Sequence, residues 1–173
     1  MNNPKALAFT DLTSDAVKNL PAEQYLVIWP IGALEQHGPH LPLGTDTFVA
    51  EVLASDAARI TDSIVAPTMW YGWSPHHMVL PGTITIRPEI LTEYLYDVIE
   101  SLNRHQFKKF IIINGHRIVN IPWMQIAAER AQRMLDVRIA IFDPAYASKS
   151  IVEELGFGPL GHAEEIETSH MLY

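Results

Sequence analysis

The sequence is organised around residues 32–46, which read Gly-Ala-Leu-Glu-Gln-His-Gly-Pro-His-Leu-Pro-Leu-Gly-Thr-Asp. Glycines and prolines punctuate this stretch, which predicts an irregular loop. Glu35 and His37 are two residues apart, so an extended backbone directs both side chains to the same side. Together with Asp46, they offer one imidazole and two carboxylates, which suit a divalent ion such as zinc, manganese or iron. The sequence therefore predicts a metal-binding loop, although Asp46 alone is also a good cap for a following helix.

Short apolar segments alternate with amphipathic segments on both sides of this loop. We expect strands at residues 25–30, 63–67, 81–86, 109–114 and 137–142, and helices at residues 14–20, 47–60, 88–105, 121–135, 148–155 and 162–173. This alternation predicts a layered α/β fold with a largely parallel sheet.

Polar side chains follow several of the predicted strands. In parallel sheets, functional groups gather at the carboxyl ends of the strands. The loop at residues 32–46, an aromatic loop at residues 69–81 and the turn Asn-Gly-His at residues 114–116 all lie there. The side chains expected to converge are those of Glu35, His37, Asp46, His76, His77 and His116.

A second polar cluster opens the last predicted helix. Residues 161–169 read Gly-His-Ala-Glu-Glu-Ile-Glu-Thr-Ser. Carboxylates in a first helical turn stabilise the helix by about 0.3–1 kcal/mol each, and four titratable groups in six residues favour a further role. Glu165 and Glu167 point to different sides of a helix, so only one of them can face a single site.

Length and composition exclude several classes of protein. A chain of 173 residues fits one domain, spanning residues 1–173. The net charge of −8 gives no reason to expect a nucleic-acid or anionic membrane partner. The absence of cysteine excludes disulfides, thiolate metal sites and cysteine nucleophiles. With no apolar run of membrane-spanning length, we expect a cytoplasmic protein.

The motifs resemble those of the creatininase (creatinine amidohydrolase) family. The resemblance rests on residues 32–46, 76–84 (His-His-Met-Val-Leu-Pro-Gly-Thr-Ile), 113–116 (Ile-Asn-Gly-His) and 161–169, which occur in the family's order. It implies a three-layer αβα sandwich, two divalent metal ions (zinc, manganese or iron) per chain, and a homo-oligomer, often a hexamer. By motif position, Glu35, Asp46 and His116 would hold one ion, His37, Asp46 and Glu165 would hold the other, and His162 would shuttle protons.

The resemblance also implies an activity. A metal-activated water would attack the carbonyl of a small cyclic substrate, either a cyclic amide or a formamide. One alternative is hydrolytic carbon–carbon ring opening of a cyclic ketone, such as a keto-inositol of the 3-dehydro-scyllo-inosose type. Another is a non-catalytic metal-binding or ligand-binding subunit. His77 and Trp73 are expected to line the substrate pocket, with core packing the alternative for Trp73.

Two departures from the family pattern affect this interpretation. The family's Asn-Gly-His-Gly-Gly-Asn is replaced at residues 114–120 by Asn-Gly-His-Arg-Ile-Val-Asn, so we expect Arg117 to reach into the pocket and bind an oxygen-rich substrate. Creatinine is then less favoured as the substrate. The creatinine-hydrolysing members of the family use a glutamate two residues after this histidine as a metal ligand. This chain has no glutamate there, so we expect Glu165 to take that ligand role. Family members also continue past the final motif. If the sequence is complete, the family's C-terminal portion is missing; if it is a fragment, assembly cannot be read from it.

Overall fold

The structure is a computed structural model that describes residues 6–147, 149–158 and 161–173. Its described strands form one parallel sheet in the order β1-β3-β2-β4-β5. They are β1 (Leu7–Ala8), β2 (Leu26–Ile31), β3 (Ile64–Val65), β4 (Lys109–Asn114) and β5 (Arg138–Phe142). Strands β2 and β4 pair along their full length, from Leu26 opposite Lys109 to Ile31 opposite Asn114.

Helices connect and cover the strands. In the described residues they are α1 (Ser14–Asn19), α2 (Thr45–Thr61), α3 (Pro88–Arg104), α4 (Arg117–Met134), α5 (Pro144–Ala147), α6 (Lys149–Leu155) and α7 (Glu165–Leu172). Within this described part of the chain, no helix has both the length and the apolar character needed to cross a membrane.

The sheet is central because its middle strands are apolar on both faces. Trp29 and Ile31 of β2 pack with the buried stripe of α3, which includes Leu95, and with α4. Ile28 of β2 faces the opposite side, where it packs against Ala54 and other alanines of α2. Alternate residues of a strand point to opposite faces, so one continuous apolar run supplies both cores. Helices α3 and α4 therefore cover one face and α2 covers the other, which confirms the αβα sandwich.

The connections place a crevice between β2 and β4. From β2 the chain passes through α2 to β3 on one side of the sheet order, whereas from β4 it passes through α4 to β5 on the other side. Neighbouring strands whose connections diverge in this way leave an opening at their carboxyl ends. The loop after β2 and the turn after β4 both lie at this opening.

Several element bounds differ from the sequence-based expectation. Strand β4 has the predicted bounds, and α2 begins two residues earlier than predicted. Residues 81–86 were expected to form a strand, but the pairing consists of one antiparallel bridge between Leu34 and Ile84. Helix α4 begins at Arg117 rather than residue 121, with Pro122 inside it. The helix predicted at residues 148–155 is described from Lys149, and residue 148 lies outside the described residues.

Candidate metal centre

The loop after β2 brings Glu35 and His37 to the crevice. The amide N–H of Glu35 donates to the carbonyl of Leu43, and the amide N–H of Gln36 donates to Thr83 Oγ1, so the loop is tied to itself and to residues 82–86. Glu35 and His37 are buried, with exposed fractions of 1% and 0%. The loop is therefore an anchored element that directs two polar side chains inward.

Two glycines allow the third side chain, Asp46, to reach the same position. A Cβ on Gly32 would lie 2.5 Å from Thr47 Cα, and a Cβ on Gly115 would lie 1.9 Å from the Asp46 carbonyl oxygen. Both distances are far below van der Waals contact, so only glycine permits this approach. The first turn of α2 consequently sits directly against the ends of β2 and β4.

His116 follows β4 and faces Asp46 and Glu35. Its Nδ1 lies 2.9 Å from Asp46 Oδ2 and 3.4 Å from Glu35 Oε1. Its Nε2 lies 3.3 Å from the backbone carbonyl oxygen of Trp73. Similarly, His37 Nε2 lies 3.0 Å from Asp46 Oδ1, while its Nδ1 lies 3.1 Å from the carbonyl oxygen of Glu35. Imidazoles held by a backbone carbonyl on one nitrogen, with the other facing carboxylates, have the orientation typical of metal ligands.

The segment before and within α7 completes the cluster. Glu164 caps α7 by accepting from the backbone N–H groups of Ile166 and Glu167. The Glu167 side chain turns back, accepts from the Ala163 N–H at 2.5 Å and places Oε2 3.8 Å from His37 Nε2. This resembles a capping box, in which the residue three positions after the cap points toward the N-terminus of the helix.

His162 lies on the more open side of the cluster. Its Nδ1 is 3.4 Å from Glu35 Oε1, and its Nε2 is 2.6 Å from the Gln36 carbonyl oxygen and 2.9 Å from Gln36 Nε2. Its ring stacks on that of His77 with centroids 4.1 Å apart. Because Gln36 offers both a donor and an acceptor to Nε2, either protonation state of His162 is satisfied.

Three overlapping groups of side chains have ligand atoms close enough to share a cation. They are Glu35 with Asp46 and His116, His37 with Asp46 and Glu167, and Glu35 with His37 and His162. Asp46 belongs to two of these groups and uses a different oxygen toward each histidine. The arrangement therefore contains two potential cation positions that share one carboxylate.

Burial and neighbouring charges shift the pKa values of the cluster in opposing directions. Burial raises the pKa of Glu35, with His116 opposing the rise. Burial would raise the pKa of Asp46, but His116 and His37 outweigh burial and lower it. Burial would likewise lower the pKa of His37, yet Asp46 raises that pKa to about 9.

The donor set fits divalent metal ions. Glu35 Oε2 is buried and has no hydrogen-bond partner among the described residues. A buried carboxylate oxygen without a partner is costly, and a cation compensates that cost. Carboxylate oxygens mixed with imidazole nitrogens are the ligands that zinc and manganese accept.

The structure places Glu167, and not Glu165, in this cluster. Glu165 is exposed, and its Oε2 accepts from the backbone N–H of Gly158 at 2.5 Å. Since α7 begins at Glu165, the two glutamates are two helical positions apart and face different sides. The structure therefore places Glu167, rather than the predicted Glu165, where a ligand of this cluster would lie.

Of the three residues predicted to bind substrate, the structure places one side chain at the cluster and directs the other two elsewhere. His77 lies at the cluster, where its Nδ1 is 2.8 Å from Gln36 Nε2. The Trp73 side chain packs against the core beside α3 and α4, and only its backbone carbonyl reaches His116. Arg117, which was expected to point at a substrate, instead forms ion pairs with Glu164 and Glu167.

Two further residues at the site were missed by the sequence analysis. Gln36 joins His77 and His162 through its side-chain amide. Ser74 is fully buried, and its Oγ lies 3.3 Å from His116 Nε2. The signal for Gln36 was its position between Glu35 and His37, whereas Ser74 carried no local signal because its contact depends on how residues 69–86 fold over the crevice.

Comparisons with known proteins identify relatives of this chain. The creatininase family model, described as creatinine amidohydrolase, matches residues 10–173. A protein of Thermotoga maritima named 3-dehydro-scyllo-inosose hydrolase is 33% identical over 181 residues. That match covers 99% of this chain and 57% of the relative, so the chain spans little more than half the relative's length.

Solved structures share the fold over almost the whole chain. A tryptophan-to-alanine mutant of creatininase superposes with a TM-score of 0.85 at 26% identity, covering 97% of this chain and 72% of the solved one. A glutamate-to-glutamine mutant of creatininase, described as Zn-Zn type, superposes with a TM-score of 0.81 at 25% identity, covering 98% and 72% of the two chains. Creatininase therefore provides a metal-containing structural counterpart for the fold described above.

Proposed function

Because this chain belongs to the creatininase family, we propose that it is a hydrolase that uses two divalent metal ions to act on the carbonyl group of a small cyclic substrate. The observation that carries this proposal is that two ligand groups share Asp46. In one group Glu35 and His116 would complete a metal position, and in the other His37 and Glu167 would do so. Bound together, two such ions lower the pKa of a water molecule and polarise a carbonyl oxygen.

The side chains that would hold the ions are already fixed in orientation. Asp46 is 2% exposed and holds its two oxygens toward opposite histidines, which suits a bridging carboxylate. His37 and His116 are each held by a backbone carbonyl, so their ring orientation does not depend on the ligand. Such fixed orientation reduces the reorganisation that catalysis would otherwise require.

His162 is the residue we assign to proton transfer. Its side chain is 29% exposed, against 1% for Glu35, so it lies where a substrate can approach. Nδ1 faces the cluster and Nε2 faces Gln36, which satisfies the ring with or without its second proton. A histidine with two satisfied protonation states can accept a proton and return it to a leaving atom.

For the substrate, we place a cyclic polyhydroxy ketone first. The support is the Thermotoga maritima relative named 3-dehydro-scyllo-inosose hydrolase, which matches 99% of this chain. A cyclic amide is the second candidate, supported by the superposition on creatininase over 97% of the chain. Arg117 no longer discriminates between them, because its ion pairs direct it to Glu164 and Glu167. A non-catalytic subunit is disfavoured because the ligand groups are intact.

The first test is metal content per chain, measured by elemental analysis on protein purified without chelator. We expect about two divalent ions. The same protein is then incubated with 3-dehydro-scyllo-inosose and with creatinine, and ring opening is followed by NMR. Ring opening of the inosose alone supports the ketone, and creatinine turnover alone supports the amide. A chain that binds no metal after zinc or manganese is added would refute the proposal.

Assembly stays a prediction of the family resemblance, and the cytoplasmic location stays a prediction of the amino-acid sequence. A homo-oligomer, a hexamer by that resemblance, can be tested by light scattering of the purified protein. The cytoplasmic location can be tested by fractionation of cells that express the protein.

A further inference from the structure

Arg117 connects three groups of the segment at residues 161–167, which we call the His162 segment. One guanidinium NH group donates to the Gly161 carbonyl oxygen at 2.7 Å. Another forms an ion pair with Glu164 Oε1, and Nε lies 3.2 Å from Glu167 Oε1. The Arg117 side chain is 16% exposed, so these contacts form in a partly dehydrated environment, where charge-assisted hydrogen bonds are stronger.

The segment held in this way carries two residues assigned to the site. Glu167 presents Oε1 to Arg117 and Oε2 to the Ala163 N–H and toward His37. The contact with Arg117 at one oxygen therefore restrains the orientation of the Glu167 carboxylate, whose other oxygen faces His37. His162 directly follows Gly161, whose carbonyl accepts from the same guanidinium.

We propose that Arg117 is a positioning residue that orients Glu167 for the metal position formed with His37 and Asp46. This inference rests on the proposed two-metal function and deepens it. It also explains why an arginine follows His116: the planar guanidinium can reach a backbone carbonyl and two carboxylates at once, which an ammonium group does less well.

A competing electrostatic effect predicts the opposite result. A positive charge one residue away from a cation site repels the cation, so removing Arg117 would tighten metal binding if charge alone mattered. Orientation opposes this, because loss of a group that holds a ligand typically weakens metal affinity by about 10–100-fold. We expect the loss of ligand orientation to change the metal affinity more than the loss of charge repulsion does. Arg117 contacts the proposed ligand Glu167 itself and also the turn that leads into α7.

The test is metal binding by the purified chain. Metal-free native protein, Arg117→Met, Arg117→Lys and the control Arg133→Met are titrated with Zn²⁺ by calorimetry, and the stoichiometry is checked by equilibrium dialysis. Arg133 lies on the same helix, is 74% exposed and pairs with Glu129 away from the site. We expect Arg117→Met to keep one ion at native affinity and to bind the second about 10–100-fold more weakly. Arg117→Lys should lose less, and Arg133→Met should match the native protein.

The outcomes separate this inference from the proposed function. Two ions bound by Arg117→Met at native or higher affinity would overturn the positioning role, even if thermal unfolding showed a less stable metal-free protein. Fewer than two ions in the native chain would instead overturn the two-metal function. If Arg117→Met does not fold, Arg117→Lys takes its place, because it keeps the positive charge but not the planar guanidinium that contacts Glu167. A second ion bound by Arg117→Lys at native affinity would then count against the positioning role.

Discussion

Gly115→Ala tests the close approach on which the whole site depends. The added Cβ would lie 1.9 Å from the Asp46 carbonyl oxygen, where ordinary contact begins at 3.4 Å, so the backbones must separate by about 1.5 Å. Overpacking usually costs about 1–3 kcal/mol, and this clash is between backbones that no side-chain rotation relieves, so we expect about 3 kcal/mol of destabilisation. For a chain of this size that corresponds to a fall in Tm of about 6–12 °C.

Urea unfolding followed by circular dichroism measures the change, with Gly158→Ala as the control. At Gly158 the nearest atom to an added Cβ is the end of the Glu165 side chain at 3.3 Å, so we expect less than about 0.5 kcal/mol. Zinc binding by Gly115→Ala should also weaken, because Asp46 and His116 move apart. A loss of less than about 1 kcal/mol, with native zinc affinity, would refute the packing of α2 against β4.

The remaining predictions concern the assigned roles. Asp46→Asn should remove both metal ions in elemental analysis, since this carboxylate belongs to both ligand groups, and full metal content would refute the shared ligand. Glu167→Gln should lose one ion while its exposed neighbour variant Glu165→Gln keeps two; the reverse result would restore the sequence-based choice of Glu165. His162→Gln should keep both ions and lower kcat by about 10²–10⁴-fold in the assay that detects turnover, and loss of an ion instead would make His162 a ligand.

The fold was largely predictable because its central strands are short, continuous apolar runs that can be recognised from the local sequence. Residues 109–114 were predicted as a buried strand, and β4 has these bounds. A short, continuous apolar run depends little on the rest of the chain, since it must be buried on both faces wherever it lies. The pairing at residues 81–86 depends on which neighbour the loop meets, so a strand was predicted where the structure has one bridge.

The site was predictable where its spacing is short. Glu35 and His37 lie together because two residues of extended loop bring them to one side, and Asp46 sits in the first turn of α2 as expected. Whether Glu165 or Glu167 faces the cluster depends on where α7 begins. Successive helical residues are about 100° apart, so the choice between Glu165 and Glu167 is a rotation of about 200°. The backbone of Ala163, with φ of 52°, keeps the helix from starting earlier.

The amino-acid sequence by itself determined the chemical inventory of this protein. It specified carboxylates and imidazoles on a glycine-rich loop, an arginine after His116 and apolar segments that form the strands of a parallel sheet. These features depend on residue type and on short spacing along the chain. The tertiary structure decided which groups meet. Glu167 faces His37, Trp73 turns its side chain to the core, and Arg117 binds Glu164 and Glu167, because each of these contacts joins elements whose separation is set by packing and helix phase.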